Sequence, residues 1–269
     1  MWTQEMFGVE KPIIALLHLR ALPGDPGCKD SMDEIIKYAR EDLHALQDGG
    51  VDGIMFANEF SMPYQTKVDY ITVAAMARIF GELKEEVRLP YGMNIVLNPL
   101  ASVELAAATD ARFVRSAFTG AYMGEYGRYT PDIAALKRRL VALGRTDMKL
   151  LFKANPESDT YLAQRDMGRV VKSIIFSSAP DALCVSGGSA GSETNVQNMD
   201  VVREVAQPAG VPVFCNTGCT QENVGEMLDH SDGVCMGTYF KKDGVFRNHV
   251  DGERVKRFME VVKERRSKL

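Results

Sequence analysis

Short apolar runs alternate with amphipathic stretches along the whole chain. The run 12–18 predicts a buried strand, and apolar positions at helical spacing predict a helix over 32–47. A strand over 51–57 precedes a helix over 68–86, and a strand over 91–97 precedes a helix over 101–108. The run 111–118 predicts a fourth strand, followed by a helix that reaches Leu143 with Pro131 in its first turn. A strand over 148–153 and a helix over 166–177 come next. The strands 182–186, 211–215 and 233–236 each have a helical segment behind them.

About eight βα units, with no composition break between them, predict a parallel sheet covered by helices. At this length that pattern predicts one (β/α)₈ TIM barrel over residues 1–269 rather than two doubly wound domains. An open dinucleotide-binding sheet would carry G-x-G-x-x-G after its first strand. The residues from His18 to Pro26 contain no such string.

The composition, 45% hydrophobic and 25% charged, provides for a sizeable core. A net charge of -4 argues against a nucleic-acid or polybasic membrane partner, and the basic end 263–268 reads as a helix terminus. No run approaches the roughly 18 apolar residues of a membrane span. Residues 1–10 lack the apolar core of a signal peptide, so the expected location is cytoplasmic. Five cysteines do not suggest a disulfide framework: Cys184, Cys215 and Cys235 lie in apolar runs as small core residues. Cys215 and Cys219 are spaced too widely for the usual Cys-x-x-Cys pair.

In such barrels the active site lies at the C-terminal ends of the strands. Polar residues collect there in strand after strand: His18, Asn58, Glu59, Asn94, Asn98, Arg115, Lys153 and Asn155. The last three strands end in Ser186-Gly187-Gly188, continuing to Gly191, in Asn216-Thr217-Gly218, and in Gly237-Thr238. Glycines there either form tight turns or let backbone N–H groups approach an anion. Thr220 is placed to cap the helix after strand seven. The expected phosphate-binding set is therefore Ser186, Gly187, Gly188, Thr217, Gly218, Gly237 and Thr238. Lys241 or Lys242 either adds charge or is solvated.

His18, Glu59 and Lys153 are the catalytic candidates. His18 either faces the barrel mouth or is a hydrogen-bonded core histidine. Lys153 fits a Schiff base, an electrostatic clamp on substrate oxygen, or a salt bridge to Glu157. Arg115 fits a carboxylate or phosphate clamp, or a pair with Glu59. Asn58, Asn94, Asn98, Arg115, Asn155 and Asn216 are expected to orient substrate. Glu59 is a general base or, with Asp25, a ligand for a divalent metal, although the spacing names no metal and no cofactor is required. Tyr122, Tyr126 and Tyr129 line the site, make an interface or cap the pocket, and a homo-oligomer is compatible with the chain.

The strings Lys11-Pro-Ile-Ile-Ala-Leu-Leu-His-Leu-Arg-Ala-Leu-Pro-Gly-Asp-Pro26, Gly49-Gly-Val-Asp-Gly-Ile-Met55, Asp181-Ala-Leu-Cys-Val-Ser-Gly187, Asn216-Thr-Gly218 and Phe240-Lys-Lys-Asp-Gly-Val-Phe246 resemble the BtpA/SgcQ family. The resemblance covers nearly the whole chain and implies a barrel related to ribulose-phosphate-binding barrels. The segments Asn58–Pro63 and 240–244 are more similar to the SgcQ branch, associated with a sugar uptake and metabolism cluster. The BtpA branch is associated with photosystem I biogenesis. Where that branch carries Lys-His after the fifth strand, this chain reads Leu150-Leu-Phe-Lys-Ala-Asn-Pro-Glu157, so a Lys-His pair does not carry over. Two functions follow as expectations: an enzyme acting on a phosphorylated sugar or related metabolite by isomerisation, aldol cleavage or glycosidic-bond cleavage, or a non-catalytic assembly factor.

Overall fold

The computed structural model describes residues 1–157, 159–188 and 192–268. A short helix α1 (Trp2–Phe7) precedes β1 (Ile13–His18), followed by α2 (Met32–Asp48), β2 (Gly53–Ala57), α3 (Tyr70–Leu83), β3 (Tyr91–Asn94), α4 (Pro99–Ala108) and β4 (Phe113–Ser116). Two three-residue strands, β5 (Tyr122–Gly124) and β6 (Gly127–Tyr129), come before α5 (Ile133–Ala142) and β7 (Lys149–Lys153). A third short strand, β8 (Asp159–Tyr161), leads to α6 (Met167–Ser178) and β9 (Ala182–Val185). The chain then runs through α7 (Val196–Ala206), β10 (Val213–Cys215), α8 (Val224–Asp229), β11 (Gly233–Met236) and α9 (Gly252–Arg266).

Eight strands pair in parallel in the order β1-β11-β10-β9-β7-β4-β3-β2, and β2 returns to β1. The fold is a closed (β/α)₈ barrel, as the alternation predicted. The short strands form a separate antiparallel sheet, β6-β5-β8, that ties the loop after β4 to the loop after β7. Three-residue strands are too short to leave a periodic signal, and the sequence pattern missed them along with α1.

Several boundaries differ from expectation for local reasons. The strand expected from residue 51 starts at Gly53, and just before it the Asp52 carboxylate accepts from the Ile13 N–H at 2.7 Å. The strand expected to reach Leu97 stops at Asn94; Leu97 takes a left-handed φ of 60°. Pro131 lies outside α5, whose cap is Asp132, accepting from Ala135 N at 2.9 Å. Thr220 does not cap α8; its N–H donates to Asn223 Oδ1 at 2.7 Å, and Asn223 is the cap residue. Ser31 and Glu34 form a reciprocal capping box on α2.

Side chains alternate across a strand, so every second residue of each strand points into the barrel. Ile14, Leu16, Met55, Phe113, Leu151, Ala182, Cys184, Phe214 and Cys235 form that interior cluster. Helix α1 closes the N-terminal end beneath it. Phe7 packs on Phe113 edge-on at 5.9 Å, and Trp2 Nε1 donates to the Asp181 carbonyl at 2.8 Å. Adding two to the uppermost members gives His18, Arg115, Lys153, Ser186, Asn216 and Gly237. The same parity that fills the barrel with apolar groups carries these residues to its open end.

The expectation of a solvated or ligand-facing Lys241 is corrected. Lys241 is fully buried and its ammonium donates to Asp42 Oδ2 at 2.6 Å, while Lys242 is exposed. Asp42, on α2, also accepts from His249 Nδ1 at 3.0 Å and Val250 N at 2.9 Å. This junction holds the segment after β11 to the helical layer. Replacing Lys241 by Met strands a buried carboxylate and should cost about 3–5 kcal/mol in urea unfolding. The double change Lys241→Met with Asp42→Asn should recover most of that loss; a single-variant loss under about 1 kcal/mol would refute the clamp.

Candidate active site

At the C-terminal end of the barrel a cavity of about 280 Å³ opens among the strand-end loops. Of the residues expected from sequence, His18, Glu59, Arg115, Lys153, Asn216, Thr217, Gly218, Gly237 and Thr238 line it. The structure brings them together from β1, β4, β7 and the loops after β2, β10 and β11.

Five side chains form one continuous network. Lys153 Nζ donates to Glu157 Oε2 at 2.8 Å. Asn216 Nδ2 donates to Glu157 Oε1 at 2.7 Å and to Ser186 Oγ at 2.8 Å. Arg115 Nη1 donates to Asn216 Oδ1 at 2.6 Å. Arg115 is buried, and its Nε has no hydrogen-bond partner among the described residues. Among those residues no ion pair joins it to Glu59, so the expected Arg115–Glu59 alternative is replaced by the Asn216 contact.

Two of the three carboxyls on the cavity wall, Glu59 and Glu157, have opposite environments. Burial pushes Glu59 above the ordinary carboxylate range, opposed by the charges of Arg115 and Lys153. Tyr64 OH donates to the Glu59 carbonyl at 2.8 Å and lies 3.2 Å from Oε2. Burial acts on Glu157 in the same sense, but Lys153 and Arg115 outweigh it and hold Glu157 below the ordinary range. Burial thus shifts one carboxyl toward its neutral form, while neighbouring cations shift the other toward its anion.

His18 is not a satisfied core histidine: its Nδ1 is buried with no partner among the described residues. Its ring lies 5.2 Å from Phe246 and 6.0 Å from Phe60. Burial, then the charges of Lys241 and Arg115, push its pKa well below the ordinary histidine value, so the ring is neutral. Gly237 makes room for it; a Cβ at that position would sit 2.3 Å from His18 Nε2.

Other expected residues lie off the cavity wall. Asn58 Oδ1 accepts from Val96 N at 2.8 Å. Asn98 accepts from Val68 N at 2.9 Å and donates to the Gln65 carbonyl at 2.7 Å. Asn155 exchanges two hydrogen bonds with the Ser186 backbone, at 2.8 and 3.0 Å. Asn94 is buried in the barrel. Asn58, Asn98 and Asn155 anchor loop backbone.

Ser186, Gly187 and Gly188 also lie off the wall, and Ser189, Ala190 and Gly191 fall outside the described residues. Gly187 N donates to Thr217 Oγ1 at 2.7 Å. A Cβ on Gly187 would come 2.5 Å from the Ser192 carbonyl, and one on Gly218 would come 2.2 Å from Glu193 Cα. The close approach these two glycines permit is to their own chain.

Asp25 does not line the cavity, and its carboxylate accepts from Leu22 N at 2.6 Å. Among the described residues no group of three or more His, Cys, Asp or Glu side chains is placed to hold a metal ion. Of the three tyrosines considered, Tyr126 lines the cavity and meets Tyr64 at 5.2 Å, at the two-residue tip of the β5–β6 hairpin. Tyr122 and Tyr129 are buried in the small sheet.

Glu157 is the cavity residue whose importance the sequence understated, and Tyr64, Asp159, Tyr239 and Phe246 also line the wall. All five lie outside the barrel strands, where no period marks them; only the Lys153-to-Glu157 spacing suggested a contact.

The chain belongs to the BtpA family, whose model matches residues 9–264. It is 48% identical over 263 residues to the sgc region protein SgcQ of Escherichia coli (strain K12), covering 97% of each chain. It is 27% identical over 263 residues to the photosystem I biogenesis protein BtpA of Synechocystis sp., covering 97% of this chain and 91% of that one. Among solved structures, phosphoribosyl anthranilate isomerase from Thermococcus kodakaraensis aligns with a TM-score of 0.56 at 15% identity, covering 94% of this chain and 99% of that one. At that identity the likeness is one of fold. Among the described residues no helix is long and apolar enough to cross a membrane.

Two predictions follow from His18. Gly237→Ala should displace the ring and cost about 1–3 kcal/mol, read by urea unfolding and by the His18 ring resonances; unchanged resonances would refute the contact. The unfolded chain protonates His18 near pH 6.5 and the folded chain only at lower pH, so this contribution is complete above that value and fades as pH falls. Glu59, shifted upward, acts oppositely: its contribution is complete below about pH 4.3 and fades as pH rises. The stability of wild type relative to His18→Gln should therefore decline below pH ~6.5 by up to about 1.4 kcal/mol per pH unit. A pH-independent difference would contradict a buried neutral histidine.

Proposed function

We propose that this chain is an enzyme that moves protons on a small phosphorylated metabolite of the sugar-phosphate class, as an isomerase or lyase. The observation that carries this is Arg115, a buried guanidinium on the cavity wall whose Nε has no partner among the described residues. Lys153 is paired with Glu157, whereas among the described residues no carboxylate lies within ion-pair distance of the Arg115 guanidinium. An anionic substrate group would pair with that guanidinium, and the Thr217, Gly218, Gly237 and Thr238 edge is where a phosphate would sit. The volume lies near the lower end of ligand pockets, roughly 300–1,000 Å³, and suits a small metabolite better than a dinucleotide.

In this assignment Glu59 is the proton donor and acceptor, because burial shifts its carboxyl toward the neutral form. Lys153 acts as an electrostatic clamp on a developing oxyanion. An imine at Nζ would forfeit the 2.8 Å ion pair with Glu157, which weighs against a Schiff base. His18, neutral and flanked by aromatic rings, offers a ring nitrogen to a substrate hydroxyl.

Melting temperature measured against a panel of phosphosugars, their unphosphorylated counterparts, nucleotides and divalent ions tests the substrate class. A phosphosugar at a hundred times its Kd should stabilise the fold by about 2.7 kcal/mol, with no comparable effect from the free sugar. Stabilisation by none of the phosphorylated compounds would sink the assignment. Once a turnover assay exists, Lys153→Met should reduce kcat by two or more orders of magnitude with the fold intact. Undiminished turnover would remove Lys153 from the mechanism.

A further inference from the structure

Residues 215 and 219 flank the turn that carries Asn216, and the turn folds back on itself at Gly218, where φ is 74°. That reversal sets Cys219 over Cys215 with the two sulfurs 3.3 Å apart, in van der Waals contact. Both cysteines are buried, yet Cys219 forms part of the cavity wall between Gly218 and Thr220. The other two buried cysteines, Cys184 and Cys235, belong to the barrel interior and are absent from that wall. Cys28 lies in the loop after β1 and is partly exposed.

We propose that Cys215 and Cys219 are a peroxide-oxidisable dithiol whose disulfide alters the candidate site. The sulfurs need to approach by only about 1.2 Å to reach a disulfide bond length. The hydrogen bond between the two thiols favours loss of the first proton from Cys215 and opposes loss of the second from Cys219. A hydroperoxide entering the cavity transfers oxygen to one sulfur, giving a sulfenic acid and releasing water or an alcohol. The second thiol attacks the sulfenic sulfur, the S–S bond forms, and water leaves. Two thiols lose two electrons and two protons, and the peroxide, taking up both, is reduced. The new bond spans Asn216, which holds Arg115 and Glu157 in place.

The chemistry rests on the sulfur geometry and is independent of the phosphosugar assignment. The test is to treat reduced, folded protein with hydrogen peroxide, quench, denature and count thiols. The expected result is a fall from five free thiols to three, reversed by dithiothreitol, with the link mapped by mass spectrometry to Cys215 and Cys219. Cys215→Ser and Cys219→Ser should each abolish the loss of a second thiol, leaving a sulfenic acid that dimedone traps. The Asn216 side-chain amide resonances should shift on oxidation of wild type and stay fixed in Cys215→Ser. Survival of both thiols while Cys28 is consumed, a link between Cys184 and Cys235, or separate sulfinic acids at 215 and 219 would each overturn the proposal. An unshifted Asn216 amide in protein shown to carry the disulfide would overturn its effect on the site.

Discussion

A closed barrel admits only every second side chain of each strand, and that constraint organises both stability and chemistry here. Ile14, Leu16, Met55, Phe113, Leu151, Phe214 and their neighbours fill the lower barrel without polar atoms, and α1 seals it from beneath. The next inward positions are therefore the first that face space rather than packing. They carry His18, Arg115, Lys153 and Asn216, together with Gly237 where a side chain would collide with the histidine. A one-residue slip in any of these strands would turn its polar residue toward the helices and an apolar one into the mouth.

Within the mouth, charge is arranged by mutual restraint. Glu157 receives both Lys153 and Asn216, and Asn216 in turn receives Arg115. The result fixes two cations and an amide at the end of three different strands with little freedom to relax. Such preorganisation lets fixed groups stabilise developing charge without reorienting at the moment of reaction. Glu59 is excluded from this chain of contacts and meets Tyr64 instead, and that difference in company separates its protonation behaviour from that of Glu157. Two identical side chain types thus acquire different chemistry from their neighbours.

The barrel was legible in the sequence because alternation of apolar runs with helical patterns persists over eight units. The strand-end residues of the cavity were legible for the same reason, since period two extends one step past the apolar filling. The amides misled. Asn58, Asn98 and Asn155 also sit just past strands, but their backbone neighbours needed hydrogen bonds and took them. Glycines were ambiguous in the same way: Gly187 and Gly218 admit the 192–193 backbone, and Gly237 admits a ring. Tyr64, Tyr126, Asp159 and Phe246 reach the cavity from loops or from a three-residue strand, where contacts are set by tertiary structure alone.

The account turns on Arg115 as the buried cation that awaits an anionic group. Calorimetric titration of wild type and Arg115→Gln with the phosphosugar that most raises the melting temperature tests this most directly, provided unfolding curves confirm both proteins are folded. The account predicts at least tenfold weaker binding in the variant, about 1.4 kcal/mol or more, and little change for the unphosphorylated sugar. Equal affinity in the two proteins would contradict it.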